Sequence, residues 1–181
     1  MAYIFTDLKA GLPPMTLHDT PATVEVVGAT TITDRKVALG KRVRAVDPTF
    51  GEGEFIRLLG VASTIVGSVV LWNDTTYQSA LVTGVALQKQ ATPVAVAMSA
   101  CVAGEHGWYQ VSGLAVIKKT AVTFPPNVPI YMSATAGRVK VLTSNGMQVI
   151  GATTANLATV TATTSTITVA IDRPHLQGQI T

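Results

Sequence analysis

Residues Gly104 to Val141 read GEHGWYQVSGLAVIKKTAVTFPPNVPIYMSATAGRVKV, and the fold class turns on this stretch. Trp108, Tyr109 and Val111 form one β-prone run, closed by Ser112-Gly113. Leu114, Ala115, Val116 and Ile117 form the next, ending in Lys118-Lys119. Pro125-Pro126-Asn127 breaks the chain before Val128 to Met132, and Ala136-Gly137 is a turn signal before the alternating Arg138-Val139-Lys140-Val141. Val, Ile, Tyr and Trp suit a pleated surface, whereas Gly, Asn and Pro suit its corners. No helical period runs through the stretch, so it predicts a meander of short strands.

The same pattern extends in both directions. On the C-terminal side, Met147 to Gly151 predicts a strand, and Thr154-Ala155-Asn156 a turn. Leu157 to Ala170 (LATVTATTSTITVA) is the most β-prone stretch of the chain, with Ile167, Val169 and Ile171 on one face and Thr166, Thr168 and Ala170 on the other. A period of two predicts a half-buried strand, which Asp172-Arg173-Pro174 should end, leaving His175 to Thr181 as a polar tail. On the N-terminal side, Lys41 to Val46 alternates, and Gly51-Glu52-Gly53 is a flexible corner. Glu54 to Ala62 is an apolar run around a buried-looking Arg57. Gly67 to Trp72 is closed by the turn Asn73-Asp74, and Ala80 to Val82 is a shorter run. Pro93 to Met98 (PVAVAM) alternates small and large residues, as a crowded inner strand would.

Short strands with turns every eight to twelve residues or so define an all-β domain, either a β-sandwich of jelly-roll-like kind or a β-barrel. A helical spell fits at most around Tyr77 to Gln90. Residues 1–33 differ from this body. Gly11, Pro13, Pro14 and Pro21 punctuate them, and their hydrophobics (Tyr3, Ile4, Phe5, Leu8, Leu12, Met15, Leu17) keep no period. Such a segment cannot build its own core, and its apolar content predicts an extended N-terminal arm that orders against a partner. The division expected is therefore an arm over 1–33 and a β-rich core over 34–181.

Charged residues make up 13% of the 181, about half the usual share of roughly 25%. Hydroxyl-rich strands and surface covered by other subunits both account for that. The net charge of +3 is mild, and aromatic residues reach only 6%, which leaves few stacking platforms for single-stranded nucleic acid. The densest basic stretch, Arg35, Lys36, Lys41, Arg42 and Arg44, reads either as a solvated strand edge or as a surface attracting an acidic protein. The lone Cys101 excludes an internal disulfide, and no apolar run is long enough to span a membrane. The first residues lack the layout of a signal peptide, so a cytoplasmic site of synthesis is expected.

The search for chemistry returns little. His18, His106 and His175 show no metal-ligand spacing, and each reads as a surface or interface residue. Cys101 sits among Ala100, Val102 and Ala103, so it reads as a buried, inert thiol. Asp47, Glu52 and Glu54 match no calcium loop, and Gly51, Gly53 and Gly60 form no phosphate loop. Ser99 and Ser112 lack the context of a nucleophile elbow. With ten acidic residues in all, convergent carboxylates are scarce. The expectation is a protein that is not an enzyme, with no catalytic, metal or cofactor-binding residues.

Four segments carry a resemblance. PVAVAMSACVAGEHGWYQVSGLAVIKK, then VPIYMSATAGRVKV and QVIGA, with the ending VAIDRPHLQGQIT, resemble small head proteins of tailed bacteriophages, the capsid decoration or cement proteins. The likeness spans about the C-terminal half and includes no catalytic signature. It implies a β-rich knob on the outside of the virion head that clamps neighbouring copies of the major capsid protein. It also implies self-association as a homotrimer or dimer, with neither nucleic acid nor membrane as partner. The arm (Tyr3, Ile4, Phe5, Leu8, Leu12) is the expected capsid-binding element, with Arg35, Lys36, Lys41, Arg42 and Arg44 adding electrostatic fit. The alternative is a binding module for a receptor or carbohydrate, for which Trp72, Trp108 and Tyr109 would be the stacking candidates.

Overall fold

The alternation RVRAVD becomes strand β4 (Arg42–Asp47), whose residues are in turn exposed and buried along its whole length. A computed structural model describes residues 38–81 and 90–178 throughout, together with the backbone pairing of three earlier strands. These are β1 (Ile4–Phe5), β2 (Ala22–Val27) and β3 (Thr30–Asp34). Nine more strands follow β4. They are β5 (Gly51–Leu59), β6 (Val69–Trp72), β7 (Ser79–Ala80), β8 (Val94–Ala97), β9 (His106–Lys118), β10 (Pro129–Met132), β11 (Val139–Lys140), β12 (Gln148–Thr154) and β13 (Thr166–Leu176).

The fold is all-β, and no helix occurs among the described residues. Its antiparallel sheet runs in the order β1-β4-β5-β9-β13-β12-β10-β11, with β8 joined to β9, β6 to β8 and β7 to β6. The sheet curls strongly into a half-barrel. Among the described residues, β2 and β3 pair only with each other. Of the proposed arm, Tyr3, Leu8 and Leu12 lie outside the described residues. Most of the suggested helical spell over 77–90 does too, and its described part holds a strand, β7.

The alternating side chains create layers. Val69 and Leu71 of β6, with Val94 and Val96 of β8, face inward to the largest core. That core also takes Ala115 and Ile117 of β9, and Ile167, Val169 and Ile171 of β13. The intervening residues Val70, Trp72, Ala95 and Ala97 face the other way, against Ile56, Leu58, Tyr109 and Val111. β6 and β8 are therefore buried on both faces, as the run PVAVAM foreshadows. A third cluster, Val43, Ala45, Phe55, Met98 and Trp108, lies on the far side of β4 and β5. Each large aliphatic or aromatic side chain removed from water in these layers contributes about 1.5–3 kcal/mol.

Three turn readings are corrected. Gly51-Glu52-Gly53 is not a flexible corner but the start of β5, paired with Asp47, Val46 and Ala45 of β4. Ser112-Gly113 does not end a strand. The two runs on either side form one strand, β9, thirteen residues long. Gly113 sits at φ +99, and a Cβ there would lie 2.5 Å from the carbonyl oxygen of Glu52. The glycine thus permits a close crossing, and the strand changes neighbours there, from β5 to β13, without stopping. Asp172-Arg173-Pro174 does not end β13 either, which continues to the buried Leu176. The register with β12 shifts between Ile150 and Ala152, where Gly151 is at φ +77 and Arg173 at φ 42. Such a bulge absorbs the irregularity and lets pairing resume. Conversely, the Thr-rich run from Leu157 is strand only from Thr166, and Leu157 itself is fully exposed.

Candidate partner-docking surface

Because β4 alternates, Arg42, Arg44 and Val46 share one face, opposite Ile56, Glu54 and Glu52 of β5. Toward its Ile56 end this face is roofed by β6 and β8. Toward its Gly51 end it is open, and the charges gather there. Arg42 Nη1 reaches Glu54 Oε1 at 3.4 Å, and Arg173 Nη2 reaches Glu54 Oε2 at 3.3 Å. Arg44 Nη1 lies 3.5 Å from Glu52 Oε1. These separations exceed the roughly 2.7–2.9 Å of a charge-assisted bond, and the arginines are largely exposed, so the pairs add little stability. Their interest is in what they display.

Two hollows flank the strip. One, of about 230 Å³, is lined by Arg44, Glu52, Gly53, Glu54 and Ser112. The other, of about 170 Å³, is lined by Arg42, Arg173 and Asp74 together with Trp72, Pro93 and Pro174. Trp72 is 6% exposed and stacks on Tyr77 with centroids 6.2 Å apart. Its buried indole N–H meets no acceptor among the described residues. Next to the strip, the buried carboxylate of Asp47 accepts the N–H groups of Thr49 and Phe50 at 2.8 and 3.0 Å, which fixes the β4–β5 turn.

Of the basic residues expected to meet a partner, Arg42 and Arg44 stand on this strip. Lys41 is also exposed, but it precedes the strand and its carbonyl serves to accept Arg57 N–H at 2.9 Å. Arg35 and Lys36 lie outside the described residues, as do the side chains of Ile4 and Phe5. The backbone of those two pairs with Val46 and Ala45 on the outer edge of β4. Glu54 and Arg173 are the site residues that the sequence reading missed. They are 119 positions apart, and only the pairing of β9 with both β5 and β13 brings them together.

The remaining candidates lie away from this strip. Cys101 is buried, and burial pushes its thiol upward from its ordinary value. Tyr109 is buried beside it and likewise raised, chiefly by desolvation, with its hydroxyl 3.4 Å from Ser79 Oγ. His106, read as a surface or interface residue, is 3% exposed within β9 because this half of the strand is covered on both faces. His175 is exposed, and His18 lies outside the described residues. Lys119 is wholly covered. Its ammonium donates to the carbonyls of Val122 and Thr161 at 2.9 Å and Thr120 at 3.3 Å, and lies 5.2 Å from the centre of the Phe124 ring. Desolvation pulls its pKa below the ordinary value. Arg57 is 1% exposed and sits 5.4 Å over the Trp108 ring. Among the described residues, no three His, Cys, Asp or Glu side chains gather as a metal site, and no helix is long and apolar enough to cross a membrane. No family model, curated protein or solved structure matches the chain.

Proposed function

We propose that this protein is a non-enzymatic structural component of a phage virion. It decorates the capsid exterior and cements it by clamping neighbouring major capsid subunits. The observation that carries this reading is the outer edge of β4. There the backbone of the N-terminal segment Ile4–Phe5 pairs with β4, alongside an exposed strip of arginines and glutamates. Main-chain pairing gives affinity without demanding particular side chains, and paired charges give register and specificity. A set of exposed aliphatics, including Ile65, Val66 and Val102, adds apolar surface on another part of the body. The resemblance of the segments forming β8, β9, β10–β11 and β13 to head decoration proteins points the same way.

The test is sedimentation of the purified protein with phage heads stripped of it. The full chain should travel with the heads, and a variant lacking residues 1 to 20 should remain folded yet stay in the supernatant. A full chain that never sediments with heads would remove the reading. A sugar-binding module would need aromatic rings open to solvent. Trp72, Trp108 and Tyr109 are 6%, 0% and 1% exposed, so none of them offers a stacking platform.

A further inference from the structure

We infer that the smaller hollow beside the charged strip, lined by Arg42 and Arg173, is a seat for the carboxylate of an acidic side chain presented by a partner polypeptide. The inference deepens the docking role proposed above and rests on it for the partner's identity as a protein. Three observations support it. First, two guanidinium groups share a single carboxylate. Arg42 and Arg173 each use one terminal nitrogen on opposite oxygens of Glu54, at 3.4 and 3.3 Å. A guanidinium offers five donors in a fork suited to bidentate capture, so most of that capacity is unspent on Glu54. The lining of the hollow itself carries Arg42, Arg173 and Asp74, and Glu54, bound to both arginines, brings the local balance to two arginines and two acids.

Second, size and lining fit a side chain and exclude a larger guest. The volume of about 170 Å³ falls below the roughly 300–1,000 Å³ of pockets that enclose whole small molecules. The walls supplied by Trp72, Val111 and Pro174 would hold the methylene stem of a glutamate while its head meets the arginines. Third, Arg173 occupies φ 42, a left-handed conformation that disfavours a non-glycine residue. A glycine would suit that bulge better, so the backbone carries strain at the position that aims an exposed guanidinium over the hollow.

The experiment follows the Trp72 indole N–H by ¹⁵N NMR while a blocked pentapeptide, acetyl-Ala-Ala-Glu-Ala-Ala-amide, is titrated into the full chain. The Trp72 signal should shift and saturate in the millimolar range, and the peptide with Gln in place of Glu should produce no saturable shift. The variant R42Q/R173Q should weaken binding by roughly tenfold or more, the scale of a lost charge-assisted contact. Glu54→Gln should instead tighten it, because it frees both arginines from their resident carboxylate, an outcome that a purely structural role would not produce. A Trp72 signal indifferent to the Glu peptide, equal binding of the Gln peptide, or a double variant that binds as well as the parent would each overturn the inference. None of these depends on phage heads. A chain that binds the peptide but not heads would count against the cement reading alone, and one that binds heads but not the peptide against the seat alone.

Discussion

β8 and β4 are both short strands of alternating side chains, yet they do opposite work. β8 reads VAVA and is buried on both faces, with its valines turned to one core and its alanines to another. β4 reads RVRAVD and is buried on one face, with Val43 and Ala45 inside and Arg42 and Arg44 outside. Alternation alone does not separate a wall from a surface. The character of the second set does: small apolar residues admit another layer, and charged ones require water or a partner.

The contrast is sharpest in stability. Val96→Asp places a carboxylate between layers with nowhere to hydrate, and should cost more than about 4 kcal/mol, enough to unfold the domain. Thermal denaturation followed by circular dichroism would report it, and a native-like transition would show that the double burial of β8 is wrong. Gly113→Ala comes next. It combines an unfavourable positive φ with a Cβ driven against the Glu52 carbonyl, and should cost roughly 2–4 kcal/mol in urea melts. Lys119→Met should cost about 1–3 kcal/mol, because the carbonyls of Val122 and Thr161 lose their donor while the relief of a desolvated charge offsets part of the loss.

A smaller effect appears on raising pH. Tyr109 and Cys101 ordinarily titrate at 10.0 and 9.0, and both are raised in the folded chain, where the neutral forms are favoured. The unfolded chain therefore releases these protons first, and their contribution, complete below pH 9, is lost as pH climbs through 9 and 10 toward the folded values. Lys119, lowered by desolvation, works in the opposite sense below its ordinary 10.5 and blunts the fall. Tyr109→Phe should flatten the decline in denaturation midpoint measured between pH 8 and 11, whereas an unchanged slope would remove Tyr109 from the account. Smallest of all, Arg44→Ala on the exposed face of β4 should shift stability by less than about 0.5 kcal/mol. A larger loss would mean that the strip is part of the scaffold and not a display.

Much of this was legible in the residues. The all-β class, the two faces of β13 and the burial of Arg57 follow from alternation and from β-branched content, which act over a few neighbours. The turn at Asn73-Asp74 was also legible, since the Asn73 side chain accepts the N–H groups of Thr75 and Thr76. The failures share a cause. Gly113 reads as a corner by composition, but its role is set by the Glu52 backbone crossing it. Leu157 to Ser165 has strand propensity without a strand beside it, apart from the single bridge of Val160 to Phe124. His106 is covered because β9 at that point lies between layers. The Arg42–Glu54–Arg173 cluster is assembled from three strands, and no local spacing announces it.

The uninterrupted course of β9 has a consequence for how the chain could be divided. Its first half pairs with β5 and β8, and its second with β13, so one piece of backbone serves as a shared seam for what would otherwise be two modules. A protease cut or an engineered split between His106 and Lys118 would leave neither fragment able to fold alone.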